Sequence, residues 1–122
     1  MPQVVRALRG ATAVDADTAD QVTERVTELL ESLLERNGVA RDDLISILFT
    51  ATPDVRSMFP ATAARALGLG DVPLLCATEI DVPGAMPQVL RVLLHLHTER
   101  SRGELHHLYL HGTSQLRDDL PG

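Results

Sequence analysis

The chain has 122 residues, 44% of them apolar, and a net charge of −6 from 11 basic and 17 acidic side chains, the profile of one soluble domain. All the basic residues are arginine and the only cysteine is Cys76; this excludes a lysine Schiff base, a pyridoxal-phosphate aldimine, a Walker A loop, an intramolecular disulfide and a multi-cysteine zinc site, and fits a reducing, cytoplasmic setting. An acidic chain whose aromatics are Phe49, Phe59 and Tyr109, with no uncharged run near the roughly 18 residues of a membrane helix, is expected to bind neither nucleic acid nor membrane.

Val4 to Ala11 reads as a first strand, with Arg9 at its exit and Gly10 as a turn residue. Val22, Val26, Leu29, Leu30, Leu33 and Leu34 then recur at helical spacing, while Glu24, Arg25, Glu28, Glu31 and Glu35 take the other face. Thr18 and Gln21 form a capping box at the start of this helix, and Asn37-Gly38 closes it. Leu44 to Ala51 is a second strand, stopped by Thr52-Pro53-Asp54, and Pro60 to Leu67 is a short helix with Gly68 beyond its end. Val72 to Ala77, nearly all apolar, predicts a strand buried on both faces.

Gln88 to Thr98 fits a buried helix or a strand, and alternation decides for the strand. Leu90, Val92, Leu94 and Leu96 fall on one face, Arg91, His95 and His97 on the other, and the four-residue apolar row is expected to be more than one small domain can cover. After a turn at Arg100 to Glu104, Leu105 to Gly112 reads as the last strand, with His107, Tyr109 and His111 on one side. The order β-α-β-α-β-β-β gives an α+β domain over residues 1–122, a single mixed sheet with helices packed on one face and a short polar tail from about residue 117.

Four groups of residues can carry chemistry. Arg9 can clamp a carboxylate through two parallel hydrogen bonds, or be a surface arginine beside a glycine. Arg91, inside an apolar strand, needs an anion, either Glu79 or a bound ligand. Cys76 with Glu79 invites a nucleophile, but a cysteine in an apolar run with no local histidine reads better as core. His95 and His97, joined by His107 and His111, invite a metal, yet no acidic or cysteine ligand completes a spacing, so neither metal nor cofactor is expected. Several arginines, one carboxylate and no credible nucleophile describe a site for a small polyanion.

Arg6-Ala7-Leu8-Arg9-Gly10-Ala11-Thr12, Thr50-Ala51-Thr52-Pro53-Asp54 and Phe59-Pro60-Ala61 are followed by Val72-Pro73-Leu74-Leu75-Cys76 and Glu79-Ile80-Asp81-Val82 with Gly84. Arg91-Val92, Tyr109-Leu110 and Leu116-Arg117 complete the series. In this order and spacing the chain resembles the monofunctional chorismate mutases of the trimeric α/β type. The resemblance implies a homotrimer whose three sheets form a pseudo-α/β barrel, active sites at subunit interfaces, and rearrangement of chorismate to prephenate on the route to phenylalanine and tyrosine. It implies that Arg9 and Arg91 bind substrate, with Arg91 reaching a carboxylate and the ether oxygen of the breaking bond. Glu79 and Cys76 would meet the ring hydroxyl, Tyr109 would lie near a carboxylate, Phe59 would wall the pocket, and Arg65 and Arg117 would sit at its mouth. Thr62 stands where the family pattern has lysine, and Leu75 where a small polar residue is common. A pericyclic rearrangement needs no base, nucleophile or metal, which agrees with the residue inventory. Two other readings use the same arginines: a small trimeric imine or enamine deaminase, and a trimeric metabolite-binding module without turnover.

Overall fold

A computed structural model describes residues 2–117, with the side chain of Arg117 outside the described set. Strand β1 spans Val4–Ala13, helix α1 Ala19–Arg36, β2 Leu44–Ala51, α2 Pro60–Ala64, β3 Leu74–Thr78, β4 Val89–Thr98 and β5 Leu108–Tyr109. They form one five-stranded sheet in the order β3-β2-β4-β1-β5. β4 lies antiparallel to both β1 and β2, whereas β3 runs parallel to β2 and β5 parallel to β1. The β1-α1-β2 crossover thus leaves a slot between two parallel strands, and β4 fills it in the opposite sense.

Both helices cover the same face. Val22, Val26, Leu29, Leu30 and Leu33 of α1 pack, almost fully buried, with Leu8, Ile47, Phe49, Leu90, Val92, Leu94 and Leu96, and each such side chain contributes roughly 1.5–3 kcal/mol. The apolar row of β4 is therefore covered within one subunit, against expectation, because α1 is long enough to span the central strands. Gly10 lies in the middle of β1 rather than at a turn: a Cβ there would stand 3.0 Å from Cδ1 of Leu33 and 3.1 Å from Cδ1 of Leu29. Its missing side chain lets the helix settle on the sheet, and Arg9 accordingly sits mid-strand, not at a strand exit.

The caps follow the sequence in part. Thr18 accepts from the N–H of Gln21 at 3.1 Å, but the Gln21 side chain turns back to the N–H groups of Asp15 and Ala16 instead of closing a capping box. The box is found instead at Ser101/Glu104, in the turn before β5. Arg25, placed by periodicity on the polar face, is buried, donating to the carbonyl of Ala13 and pairing with Asp15 at 3.1 Å. The end of β1 and the residues just after it thus supply both of its partners. The second helix passes at Ala64 into a wider turn, Arg65–Leu69, broken by Gly68 at φ 96°.

Two strand predictions need correction. β3 is an edge strand open on one face, so Leu75 is 66% exposed rather than buried on both sides. The last strand contracts to Leu108–Tyr109, because Asn37 at the end of α1 captures the backbone before it and His111, at φ 52°, turns away after it. The Asn37 amide donates to the carbonyls of Leu33 (2.9 Å) and His106 (3.0 Å) and accepts from the N–H of His106 at 2.7 Å.

Asn37 is 1% exposed, so Asn37→Ala leaves buried groups unpaired, each costing about 1–3 kcal/mol. A loss of about 2–3 kcal/mol in denaturant unfolding at fixed protein concentration is expected; a loss below about 0.5 kcal/mol would show that water replaces the amide.

Candidate active site

The face of the sheet away from the helices carries the charged residues. Strand pairing sets one row across it, Ala77, Thr50, Arg91, Ala11 and Tyr109, from β3 to β5. Arg9 lies two residues along β1 from Ala11 and faces the same way, a diagonal neighbour of Arg91 at about 7–8 Å.

Arg91 and Glu79 form the centre of the row. Glu79 follows β3, its N–H bonded to the carbonyl of Ala51 at 2.9 Å. Its Oε2 accepts from Oγ1 of Thr50 at 2.6 Å and lies 3.0 Å from Nε of Arg91. The Nε–H is not directed at that oxygen, so the contact is an ion pair without a hydrogen bond. Among the described residues neither terminal nitrogen of Arg91 donates to protein, and the side chain is 42% exposed against 15% for Glu79. The head of Arg91 is thus half open and only its Nε is buried, unlike the enclosed guanidinium its apolar strand predicts.

Upstream of Arg91, Oγ1 of Thr52 accepts from the N–H of Val89 at 3.0 Å, and Asp54 accepts from the N–H of Gln88 at 3.0 Å. The Thr52-Pro53-Asp54 stop therefore also fixes the start of β4, two residues before Arg91, with Gln88 held at φ 56°.

Arg9 is held from β5 and the C-terminal turn. Its Nε donates to Oη of Tyr109 at 2.8 Å, its guanidinium lies 5.8 Å from the tyrosine ring centre, and Nη2 reaches the carbonyl of Leu116 at 3.5 Å. Its backbone N–H donates to Nδ1 of His107 at 3.0 Å, a bond that needs the neutral imidazole. Burial, and then the positive charge of Arg9 and His106, hold His107 below its ordinary pKa of 6.5. The other histidines separate: His95 contacts Ser46 at 3.2 Å on the open face, and His111 pairs with Glu28 at 2.7 Å.

The remaining predicted residues lie elsewhere in the subunit. Cys76 pairs in register with Phe49 and packs half-buried on the helix side, opposite to Arg91. Phe59, 70% exposed, and Arg65, also exposed, flank α2, which packs on β2 and β3 from that same side. Their loop is tied to the start of α1 by Asp17, which accepts from the N–H groups of Arg56 (2.9 Å) and Ser57 (3.1 Å) and is thereby held below the usual carboxylate pKa. Thr62 is exposed on α2, and Leu75, next to Cys76 on β3, is exposed on the opposite, open face. Arg117 ends the turn Ser114–Arg117, and its side chain is outside the described set. The structure therefore unites Arg9, Glu79, Arg91 and Tyr109 and sets Phe59, Arg65 and Cys76 apart. Thr50, Asp54 and His107 were missed as supports; apart from the quoted motif and the histidine pattern, their signal is a polar residue on a strand's non-core face or beside a turn.

The fold and this face define an α+β protein whose mixed sheet carries Arg9 and Arg91 on the face away from its helices. A profile of the family "Chorismate mutase type I" matches residues 5–120. Chorismate mutase AroH of Thermus thermophilus is 42% identical over 118 residues, covering 96% of this chain and 97% of that protein. The AroH of Bacillus subtilis is 36% identical over 118 residues, covering 96% and 93%. A solved chorismate mutase from Clostridium thermocellum superposes with a TM-score of 0.87 at 42% identity, covering 88% of this chain and 96% of that one. The chain belongs to the type I chorismate mutase family.

His107 gives a pH signature. Because its folded pKa is depressed, the unfolded chain takes up the proton first as pH falls, so its contribution to stability is complete above about 6.5 and declines below it. Melting temperature is expected to fall between pH 6.5 and 5, and less steeply in His107→Asn, whose amide oxygen accepts without titrating. Asp17 and Glu104, also depressed, act only near and below their ordinary values of 3.8 and 4.5; equal slopes in the two proteins would remove His107 from the account.

Proposed function

We propose that this protein, as a chorismate mutase, converts chorismate to prephenate by holding the dicarboxylate in its compact conformer and placing the Arg91 guanidinium at the ether oxygen. The observation that carries the reading is Arg91 itself: it stands on the central strand, in ion-pair contact with Glu79 through Nε, with both terminal nitrogens unbonded among the described residues. The carbon–oxygen ether bond breaks as the new carbon–carbon bond forms, with no proton transferred, so catalysis rests on conformation and charge. Electron density gathers on the ether oxygen in the transition state, and a preorganised cation there interacts more strongly with the transition state than with the substrate. Arg9, aligned by Tyr109, takes the other carboxylate, and Glu79 accepts from the ring hydroxyl.

In this reading residues 1–122 act as one domain in a homotrimer. Two features support assembly. The open face and its rim expose Val5, Leu75 and Ile80, the last at 87%, apolar surface that a lone subunit leaves in water. Phe59, Arg65 and Cys76 are oriented away from Arg91 in their own subunit, and the edge strand β3 of a neighbour can bring them to it, with Arg117 at the mouth. No helix among the described residues is long and apolar enough to cross a membrane, and in this reading the enzyme works in the cytoplasm.

The direct assay is loss of chorismate's ultraviolet absorbance on mixing. Binding without loss would favour the metabolite-binding module, and turnover of an imine instead would favour the deaminase. Arg91→Ala is expected to lower kcat by at least a hundredfold to a thousandfold, about 3–4 kcal/mol for a preorganised donor. Replacement of Arg91 by citrulline should preserve affinity better than turnover; equal turnover would sink the electrostatic mechanism while leaving the function intact. Light scattering is expected to give three times 13.3 kDa, and a monomer at assay concentration would refute the interface site.

A further inference from the structure

We infer that Thr50 is a positioning residue for this reaction: its hydroxyl holds one oxygen of Glu79, keeping the Glu79–Arg91 contact single-pronged and both terminal nitrogens of Arg91 open to substrate. The inference rests on the reading of Arg91 and Glu79 as substrate-contacting groups and adds the reason that they do not neutralise each other.

A carboxylate beside a guanidinium ordinarily closes into a two-pronged pair, which consumes at least one terminal nitrogen. Here Oε2 of Glu79 already accepts from Oγ1 of Thr50 at 2.6 Å. The same oxygen approaches only Nε of Arg91, at 3.0 Å and off the N–H axis. Rotating the carboxylate to present both oxygens to Arg91 would break a short, charge-assisted bond around a side chain only 15% exposed. Glu79 is pinned from its backbone as well, through the carbonyl of Ala51 at 2.9 Å. Its Oε1 accepts nothing among the described residues, which leaves it for the substrate's hydroxyl.

The fold sets the direction of the Thr50 hydroxyl. Thr50 and Arg91 are register partners on β2 and β4, so their Cβ atoms stand about 5 Å apart on the open face. Glu79 enters from the other side, off β3, and Thr50 lies between the acid and the strand that carries the base. β-Branching restricts χ1, so the hydroxyl keeps this aim with no ligand present.

The test is steady-state kinetics with chorismate on Thr50→Val, which keeps the shape and removes the hydroxyl, and Thr50→Ser, which keeps the hydroxyl, with melting curves on the same samples. Thr50→Val is expected to lower kcat/KM by about tenfold to a hundredfold, the worth of a hydrogen bond to a charged group. KM should rise as kcat falls, because a closed Arg91–Glu79 pair competes with substrate. Thr50→Ser should recover most of the loss, and in a Glu79→Ala background Thr50→Val should add less than about twofold. Kinetics within twofold of the parent, a fall in kcat at unchanged KM, or an undiminished loss in the Glu79→Ala background would each overturn the inference. Thr50→Ala, read by the same criteria, serves if the valine variant does not fold. Arg91→Ala measured in parallel separates the two claims: if it retains full turnover, the parent reading fails, whereas a damaged Arg91→Ala beside an intact Thr50→Val refutes only the role of Thr50.

Discussion

A guanidinium can serve a ligand only if the protein holds it in place without neutralising it, and the open face of this sheet is arranged around that constraint. Arg91 needs an anion near it, since its Nε is buried, yet a carboxylate free to close on it would occupy the nitrogens that the proposed substrate contacts require. The arrangement found is asymmetric: one oxygen of Glu79 touches Nε, a hydroxyl holds that oxygen, and the charged end of the arginine is left half exposed. Everything that fixes these three groups, from the register of β2 on β4 to the Thr52-Asp54 tie at the start of β4, would bear on the proposed catalysis through geometry.

The two faces of β4 divide the tasks. Leu90, Val92, Leu94 and Leu96 bury against α1 and fix the strand in the centre of the sheet, while the alternate residues carry Arg91, Leu93, His95 and His97. A central strand is hydrogen-bonded along both edges, so a side chain on it moves less than one on a loop. Gly10 allows α1 to close on the sheet, and Asn37 and His107 then fasten the segment that leads to Tyr109. The anchors of Arg9 and Arg91 thus descend from the same helix–sheet packing.

A concerted rearrangement also explains why the chemistry is hard to find by searching for chemical groups. The chain's histidines and its thiol are the residues a sequence search notices first, and within the subunit His107 accepts a backbone N–H, His111 pairs with Glu28 and Cys76 packs against the core. In the proposed mechanism what remains is positive charge in a fixed place, which suits a reaction whose transition state differs from its substrate in charge distribution and shape.

The sequence by itself determined the element order, the boundaries of β2, the apolar stripe of α1 and the side of β4 that carries Arg91, because each is written in a local period or a local stop signal. It also carried the family, through motifs spread over nearly the whole chain. It misplaced Arg25, Gly10 and the outer face of β3, where burial depends on what another segment covers. It placed Thr50 in a family motif but gave it no role, since a threonine in a strand has no period of its own to mark what its hydroxyl holds. Only the tertiary structure brought Thr50, Glu79 and Arg91 together, from two strands and the segment that follows a third, and aimed the hydroxyl. Register between strands is decided by the whole sheet packing at once, and a site built on register is visible only when the sheet is complete.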